Sequence, residues 1–198
     1  MASKFNQLVG YICTQIVTPK RVRTRAKRMI RFIKIAEHFY HLNNFDCVMA
    51  IIASLSNSSV SRLKFTKNEV PKSYWRIYEE LDKATSSENS YKEYRNLLKT
   101  VQPPCIPYLG VFLTDLTFIS EGSSDKINHD LVNFGKRKLL FETISEIQRF
   151  QNAPYNLQKV DQIEKLLKLS LETKSENELY DISKDREPRG AEKSQIVF

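Results

Sequence analysis

Apolar side chains recur at three- and four-residue steps along most of this chain. From Val22 the series runs through Ala26, Met29, Phe32 or Ile33, Ala36 and Tyr40, the spacing of one buried stripe on a helix. Thr18 and Pro19 precede it. Threonine suits a helix cap and proline the first turn, so the pair predicts the helix start, and the stripe carries the helix to about His41. Asn43-Asn44 is a stop and restart signal. Phe45 to Leu55 is apolar nearly all round, which predicts a central helix buried on most sides. A serine-rich polar turn is predicted over Ser54 to Ser61, then a helix from Pro71 to about Lys83, broken by Thr85-Ser86-Ser87. Tyr91, Tyr94, Leu97 and Leu98 stripe the next one.

Pro103-Pro104-Cys105-Ile106-Pro107 is incompatible with a helix interior, because proline fixes φ, removes a donor and disfavours helix at the residue before it. A rigid extended connection is predicted there. Tyr108 to Glu121 reads as a mostly apolar helix ended by Gly122-Ser123-Ser124-Asp125, and Leu131 to Gln151 as a long amphipathic helix stopped near Pro154. Two more helices are predicted at about Leu157–Leu171 and Ser175–Lys184, and residues 190–198 are expected to form a frayed, disordered tail. No strand alternation stands out, so the predicted fold class is all-α.

Composition narrows this further. The 198 residues suit one domain. A hydrophobic content of 41%, with 11 Phe and 9 Tyr, indicates a packed core rather than disorder. The net charge of +8 points to an acidic partner, whether nucleic acid, an anionic membrane or an acidic protein face, without choosing among them. Cys13, Cys47 and Cys105 are far apart, odd in number and form no Cys-x-x-Cys. Neither a disulfide framework nor a zinc site is expected, and a reduced, cytoplasmic setting is. Met1-Ala2-Ser3-Lys4 lacks the apolar core of a signal peptide, Cys47 to Leu55 is too short to span a bilayer, and Gln195 to Phe198 offers no prenylation cysteine. No membrane anchor is expected in the chain.

Candidate chemistry is sparse. Gly10, Gly110, Gly122, Gly135 and Gly190 are too scattered for a phosphate-binding loop. His38 and His41 are three apart on a helix, but no third ligand with suitable spacing stands out, so two polar residues near a helix end are expected rather than a metal site. His129 has no clear nucleophile partner, and Glu79-Glu80 reads as solvated surface. The basic run Lys20 to Arg31 is the best rival signal, since such helices bind nucleic-acid phosphates. It shares its helix with a strong apolar stripe, so a solvated face is expected instead, with no nucleic-acid partner. No cofactor is expected.

The stretch Pro103-Pro-Cys-Ile-Pro-Tyr-Leu-Gly-Val-Phe-Leu-Thr-Asp-Leu-Thr-Phe-Ile-Ser-Glu-Gly122 closely resembles the signature of the Ras-type guanine-nucleotide exchange factor (RasGEF) catalytic domain. Leu42-Asn-Asn-Phe45 with Val48-Met-Ala-Ile-Ile52, Tyr91-Lys-Glu-Tyr-Arg95, Val132-Asn-Phe134 with Lys136-Arg-Lys138, Gln151-Asn-Ala-Pro-Tyr155 and Arg186-Glu-Pro-Arg189 match in order and spacing. The similarity spans about Phe5 to Arg189. It implies a helical core with a protruding antiparallel helical hairpin, here about Tyr108–Gly122 and Leu131–Asn152, that wedges open the nucleotide site of a Ras-like small GTPase and stabilises its nucleotide-free form without covalent chemistry. By resemblance, Thr117 intrudes on the magnesium site and Glu121 approaches the phosphate-binding loop. A GTPase switch would be gripped by Met49, Tyr91, Tyr108 and Phe134, with Ser56 and Ser61 at the polar rim; Thr114 and Asp115 at the arm's base are counted with the GTPase-binding residues, capping or orienting the helix being the structural alternative. Residues 1–189 would be a partial domain lacking the family's opening helices, which are expected to leave part of the core uncovered. Tyr11 stands where the family has tryptophan, and Ser3 falls about where it has a basic residue. The alternative implied by these departures is a catalytically impaired GTPase-binding or scaffold module. Recruitment to a membrane would then come through the GTPase or other partners.

Overall fold

The computed structural model describes residues 2–128, 130–170 and 173–198. Helices α1 (Ala2–Val17), α2 (Val22–His41) and α3 (Phe45–Ser56) lead into short α4 (Ser58–Ser61) and α5 (Lys64–Asn68). Then come α6 (Lys72–Ala84), α7 (Glu88–Thr100) and α8 (Leu109–Gly122), a two-stranded ribbon of β1 (Lys126–Ile127) and β2 (Leu131–Val132), α9 (Phe134–Gln151), α10 (Asp161–Ser170) and α11 (Glu176–Arg186). The fold is all-α apart from that ribbon, an antiparallel pair with Lys126 opposite Val132, too short to produce an alternating pattern.

The principal core is built around α3, against which α1 and α2 pack. Val48, Ala50, Ile51, Ile52 and Leu55 are all buried, as an all-round apolar helix requires. They meet Ile12, Cys13, Ile16 and Val17 of α1 and Met29, Ile33 and Ala36 of α2. Burial pushes the Cys13 thiol up to about 12, which keeps it protonated and inert.

Thr18 and Pro19 do not start α2. Thr18 follows the last residue of α1, and its hydroxyl donates back to the Thr14 carbonyl, the local bond that lets threonine close a helix as well as open one. The α2 helix starts at Val22 after Arg21, which gives no side-chain cap. Its first N–H is instead satisfied from the far end of the chain: Val22 N–H donates to Val197 O at 2.8 Å, and Ile196 is buried beside it. The segment expected to fray thus carries a 3-10 turn (Lys193–Gln195) and docks on α2. The serine-rich stretch forms α4 rather than an open turn, with Ser54 inside α3 donating its hydroxyl to Ala50 O at 2.6 Å. The helix predicted over 157–171 is shorter, Asp161–Ser170, and its predicted end at Leu171, like His129, lies outside the described residues.

Arg25 departs furthest from the basic-run reading. It is fully buried on α2, where its Nη2 donates to Glu187 Oε1 at 3.0 Å and its Nε to Thr66 Oγ1 at 2.8 Å. The same carboxylate accepts from Thr66 N–H (3.0 Å), Thr66 Oγ1 (2.7 Å) and Phe65 N–H (2.9 Å). Arg62 adds bonds to the Ser183 and Glu187 carbonyls at 2.6 and 2.8 Å. This network ties α2, α5 and α11 together. Burial lowers the Arg25 pKa, and the contacts to Glu187 oppose that shift.

Removing one partner of a buried, fully bonded ion pair leaves the other charge unmatched, so Glu187→Ala is expected to destabilise the fold by roughly 3–5 kcal/mol. Urea denaturation read by circular dichroism measures it, and a loss below about 1 kcal/mol would show the network to be incidental.

Candidate functional site

A second cluster of Phe45, Met49, Tyr94, Leu98, Cys105, Val111, Phe112 and Phe150 forms where α8 and α9 join the core. The proline-rich segment sets this junction. Ile106 N–H donates to Asn43 O at 2.9 Å, and Ile106 O accepts from Phe45 N–H (2.9 Å) and Asp46 N–H (3.3 Å), so the linker supplies acceptors for the exposed first amides of α3. Asn43 sits at φ 56 and reaches Pro104 O with its amide at 3.3 Å. Asn44 caps α3 by accepting from Cys47 N–H at 3.1 Å. Two sequence motifs, Leu42-Asn-Asn-Phe45 and the proline run, are thus one physical joint.

Helices α8 and α9 pack side by side and project from that joint. On α8 only Val111 and Phe112, in its first turn, are buried; on α9 the buried apolar residue is Phe150 at its far end. The joint is braced three times. Arg95 of α7 makes a two-pronged bond to Asp115 at 2.7 and 2.8 Å. Arg149 donates to Leu98 O at 2.8 Å, and the Tyr155 hydroxyl to Leu42 O at 2.6 Å. At the start of α8, Tyr108 N–H donates to the Tyr94 hydroxyl at 2.7 Å. The Tyr108 ring lies over Gly110, where an added Cβ would come within 2.4 Å of the ring, so a side chain there would displace Tyr108. Burial and neighbouring Tyr91 raise the Tyr108 pKa.

Thr114, Thr117, Phe118 and Glu121 share the exposed face of α8. Thr117 and Glu121 are one turn apart and point the same way. The hydroxyls of Thr114 and Thr117 bond back to Gly110 O (2.8 Å) and Leu113 O (2.9 Å) within their own helix, whereas the Asp115 carboxylate is bonded across to Arg95. Glu121 makes no ion pair among the described residues, and it stands in the last turn of α8, where the helix dipole disfavours a carboxylate. Around it the hairpin exposes large apolar side chains: Phe118 is 71% exposed, Phe134 77% and Phe141 70%.

The candidate switch-gripping residues divide. Met49 is buried in the junction cluster, with Tyr91 and Tyr108 half-buried against it. Tyr91 is aimed there by an unusual turn in which Asn89, Ser90 and Tyr91 all have positive φ (49°, 57° and 62°), and the Ser90 carbonyl accepts from Arg95 Nε at 2.8 Å. Three successive non-glycine residues in this region store strain that neighbouring contacts must offset. Phe134 does not join this group; it lies at the outer end of α9, on the tip. Ser56 stands at the C-terminal end of α3, its hydroxyl 2.9 Å from that of Tyr78, and Ser61 ends α4. His38 and His41 are exposed on the last turn of α2. Sequence reasoning missed Arg95, Tyr94, Arg149 and Lys136, because a brace is defined by its partner across the fold. Only the placement of Arg95 and Arg149 among apolar helix positions hinted at it.

A family model described as the RasGEF domain matches residues 1–138. The chain belongs to the RasGEF domain family. The match takes in the joint, α8, the ribbon and the first turn of α9. Over 198 residues the chain is 51% identical to Ras guanine nucleotide exchange factor J and 50% identical to Ras guanine nucleotide exchange factor I, both of Dictyostelium discoideum; each alignment covers 100% of the chain and 24% of the relative. Ras guanine nucleotide exchange factor A of the same organism is 44% identical over 210 residues, covering 100% of the chain and 34% of that protein. The chain therefore spans about a quarter to a third of the length of these curated relatives. No helix of the described residues is long and apolar enough to cross a membrane.

If Arg95–Asp115 braces the RasGEF hairpin, a double-mutant cycle with Arg95→Ala and Asp115→Ala will give a coupling of about 1 kcal/mol, modest because both side chains are partly exposed. Additive losses would remove the brace. Cys13 and Cys105, whose thiols burial pushes up to about 12, are expected to resist a thiol reagent at pH 8 until the chain is unfolded. Stoichiometric labelling of the native protein at either position would contradict their placement.

Proposed function

We propose that this chain is a guanine-nucleotide exchange factor for a Ras-like small GTPase, promoting nucleotide release by inserting the α8–α9 hairpin at the nucleotide site. The observation that carries the reading is the projecting hairpin itself, which bears Glu121, a carboxylate with no ion pair among the described residues, and exposes Phe118, Phe134 and Phe141. Family membership and the names of the relatives support it. No bond is made or broken in this activity. A carboxylate brought to where phosphate oxygens sit repels them, and it offers the groups that held the phosphates a substitute partner. Thr117, on the same face one turn nearer the core, is placed to crowd the magnesium ion, whose charge otherwise holds the phosphates. Phe118, Phe134 and Phe141 supply apolar grip, and Met49, Tyr91 and Tyr108, packed together at the base, an apolar surface for a side chain of the GTPase switch, with Ser56, Ser61, Thr114 and Asp115 as polar contacts. Tight binding of the nucleotide-free GTPase then weakens nucleotide binding by the same factor, about 1.4 kcal/mol for each tenfold.

A second reading, a GTPase-binding module that does not accelerate release, draws on a groove of about 860 Å³ between α1 and α2. Leu8, Tyr11, Phe32, Ile35 and Phe39 line it without covering it. The basic run favours no nucleic-acid role: Arg25 is buried in the Glu187 network and Arg28 is bonded to Gln15.

Release of a fluorescent guanine nucleotide from a panel of Ras-type GTPases separates these readings. Acceleration by the chain is expected, with a loss of roughly tenfold or more for Glu121→Ala and a smaller one for Thr117→Ala. Binding of empty GTPase without acceleration selects the second reading, and no binding rejects both.

A further inference from the structure

Two charges at the end of the hairpin stand on the wrong ends of their own helices. Glu121 is in the last turn of α8, and Lys136 is in the first turn of α9. The dipole of each helix disfavours the residue it carries. Neither position is explained by the helix it belongs to, so the explanation must cross the hairpin.

For Lys136 it does. Its side chain is only 6% exposed although the surrounding hairpin is largely solvated. Its Nζ donates to Ser120 O at 2.8 Å and Ser123 O at 2.7 Å, and lies 2.9 Å from Asp125 Oδ1. An ammonium has three donors, and here each has an acceptor. Two of those acceptors are carbonyls at the end of α8, which no later turn of that helix satisfies. They flank Glu121 in sequence, one residue before it and two after. Asp125 is fixed in turn by Arg137 Nη2 at 3.3 Å, and its backbone O accepts from Asn133 N–H at 2.9 Å. The hydrogen bond from Lys136, and then the charge of Arg137, hold the Asp125 carboxyl below the usual carboxylate range. It is therefore ionised at neutral pH, and its ionic contacts weaken only as pH falls through that depressed value. Asn133 completes the end by capping α9 through Lys136 N–H at 3.1 Å and donating its amide to Ser124 O at 3.0 Å.

We propose that Lys136 is a positioning residue for nucleotide release: it pins the Glu121-bearing end of α8 to α9, so that the carboxylate arrives at the GTPase at a fixed place. This rests on the exchange reading above. It differs from a surface contact because the Lys136 ammonium is spent inside the hairpin and has no donor left for a partner. A loosened tip still docks through the base and the exposed aromatic residues, but delivers Glu121 as a spread of positions, and misplacement is costly when an interaction must be made at the crest of the barrier.

The test uses the 198-residue chain with Lys136→Met, with Asp125→Asn as a milder second variant should the first fold poorly, and with Lys138→Met as a control. Lys138 is on the same helix but mostly exposed, its nearest carboxylate Glu142 at 3.9 Å. Two quantities are read: amide hydrogen exchange over residues 118–128, and the rate of fluorescent GDP release against exchange-factor concentration. Lys136→Met is expected to speed tip exchange about tenfold or more and to lower the maximal release rate by a similar factor. The half-saturating concentration should stay within about twofold and the melting temperature should not move. Asp125→Asn should do the same to a smaller degree, and Lys138→Met neither. Unchanged tip exchange in both Lys136→Met and Asp125→Asn overturns the proposal. So does a loosened tip with undiminished release, or a loss confined to the half-saturating concentration. A wild-type chain inert on every GTPase sinks the exchange reading and, with it, the role in release; tip exchange then still decides whether Lys136 is the pin.

Discussion

A hairpin that projects from a domain gains little from burial along its length, so its direction must be fixed at its two ends. That constraint organises this molecule. At the inner end, apolar packing of Val111, Phe112 and Phe150 is supplemented by directional bonds: Arg95 to Asp115, Arg149 to the Leu98 carbonyl, and Tyr155 to the Leu42 carbonyl. At the outer end the described residues form no buried apolar cluster, and the job falls chiefly to the Lys136 ammonium with its three acceptors, joined by bonds from Asn133 to Ser124 O and Asp125 O. Between the ends the side chains are exposed or half-buried, with Thr117, Phe118 and Phe141 among the exposed ones.

The domain behind the hairpin is closed by a different device. Arg25 and Glu187 are separated by 162 residues yet meet at 3.0 Å with almost no exposure. Burying a charge is tolerated only when it is paired and its remaining lone pairs are used. Glu187 meets that condition by accepting from Thr66 and Phe65 as well, so α11 seats in one register on α2 and α5. The tail then returns Val197 to the uncapped start of α2. The basic run on α2 is accordingly not a single charged face: one of its members, Arg25, is fully buried.

The helices were legible where one face is apolar and the other wet. The stripe of α2 and the all-round apolar α3 became core because burial of apolar surface is non-directional and needs no particular partner. The proline run was legible for the opposite reason, because a ring-locked φ excludes helix whatever surrounds it. Boundaries were less so. Thr18 reads equally well as a cap or as a closing residue, and which one it is depends on whether the preceding residues are helical. The ribbon escaped notice because two residues per strand carry no period.

Of the candidate site, Thr117, Glu121 and Asp115 were named by resemblance, and Met49, Tyr91 and Tyr108 lie together in the cluster at the base, while Phe134 belongs to the tip. By itself the sequence determined a mainly helical chain, a rigid connection before an apolar helix, and a carboxylate at that helix's end, since each follows from local periodicity or from the stereochemistry of single residue types; that the helix is one arm of a hairpin came from resemblance. The tertiary structure alone decided that Arg25 is interior, that Asp115 is a strut, and that Lys136 is a pin rather than a surface charge. A charged side chain's role is set by the partner it reaches, and these partners are brought within bonding distance only when the chain is folded.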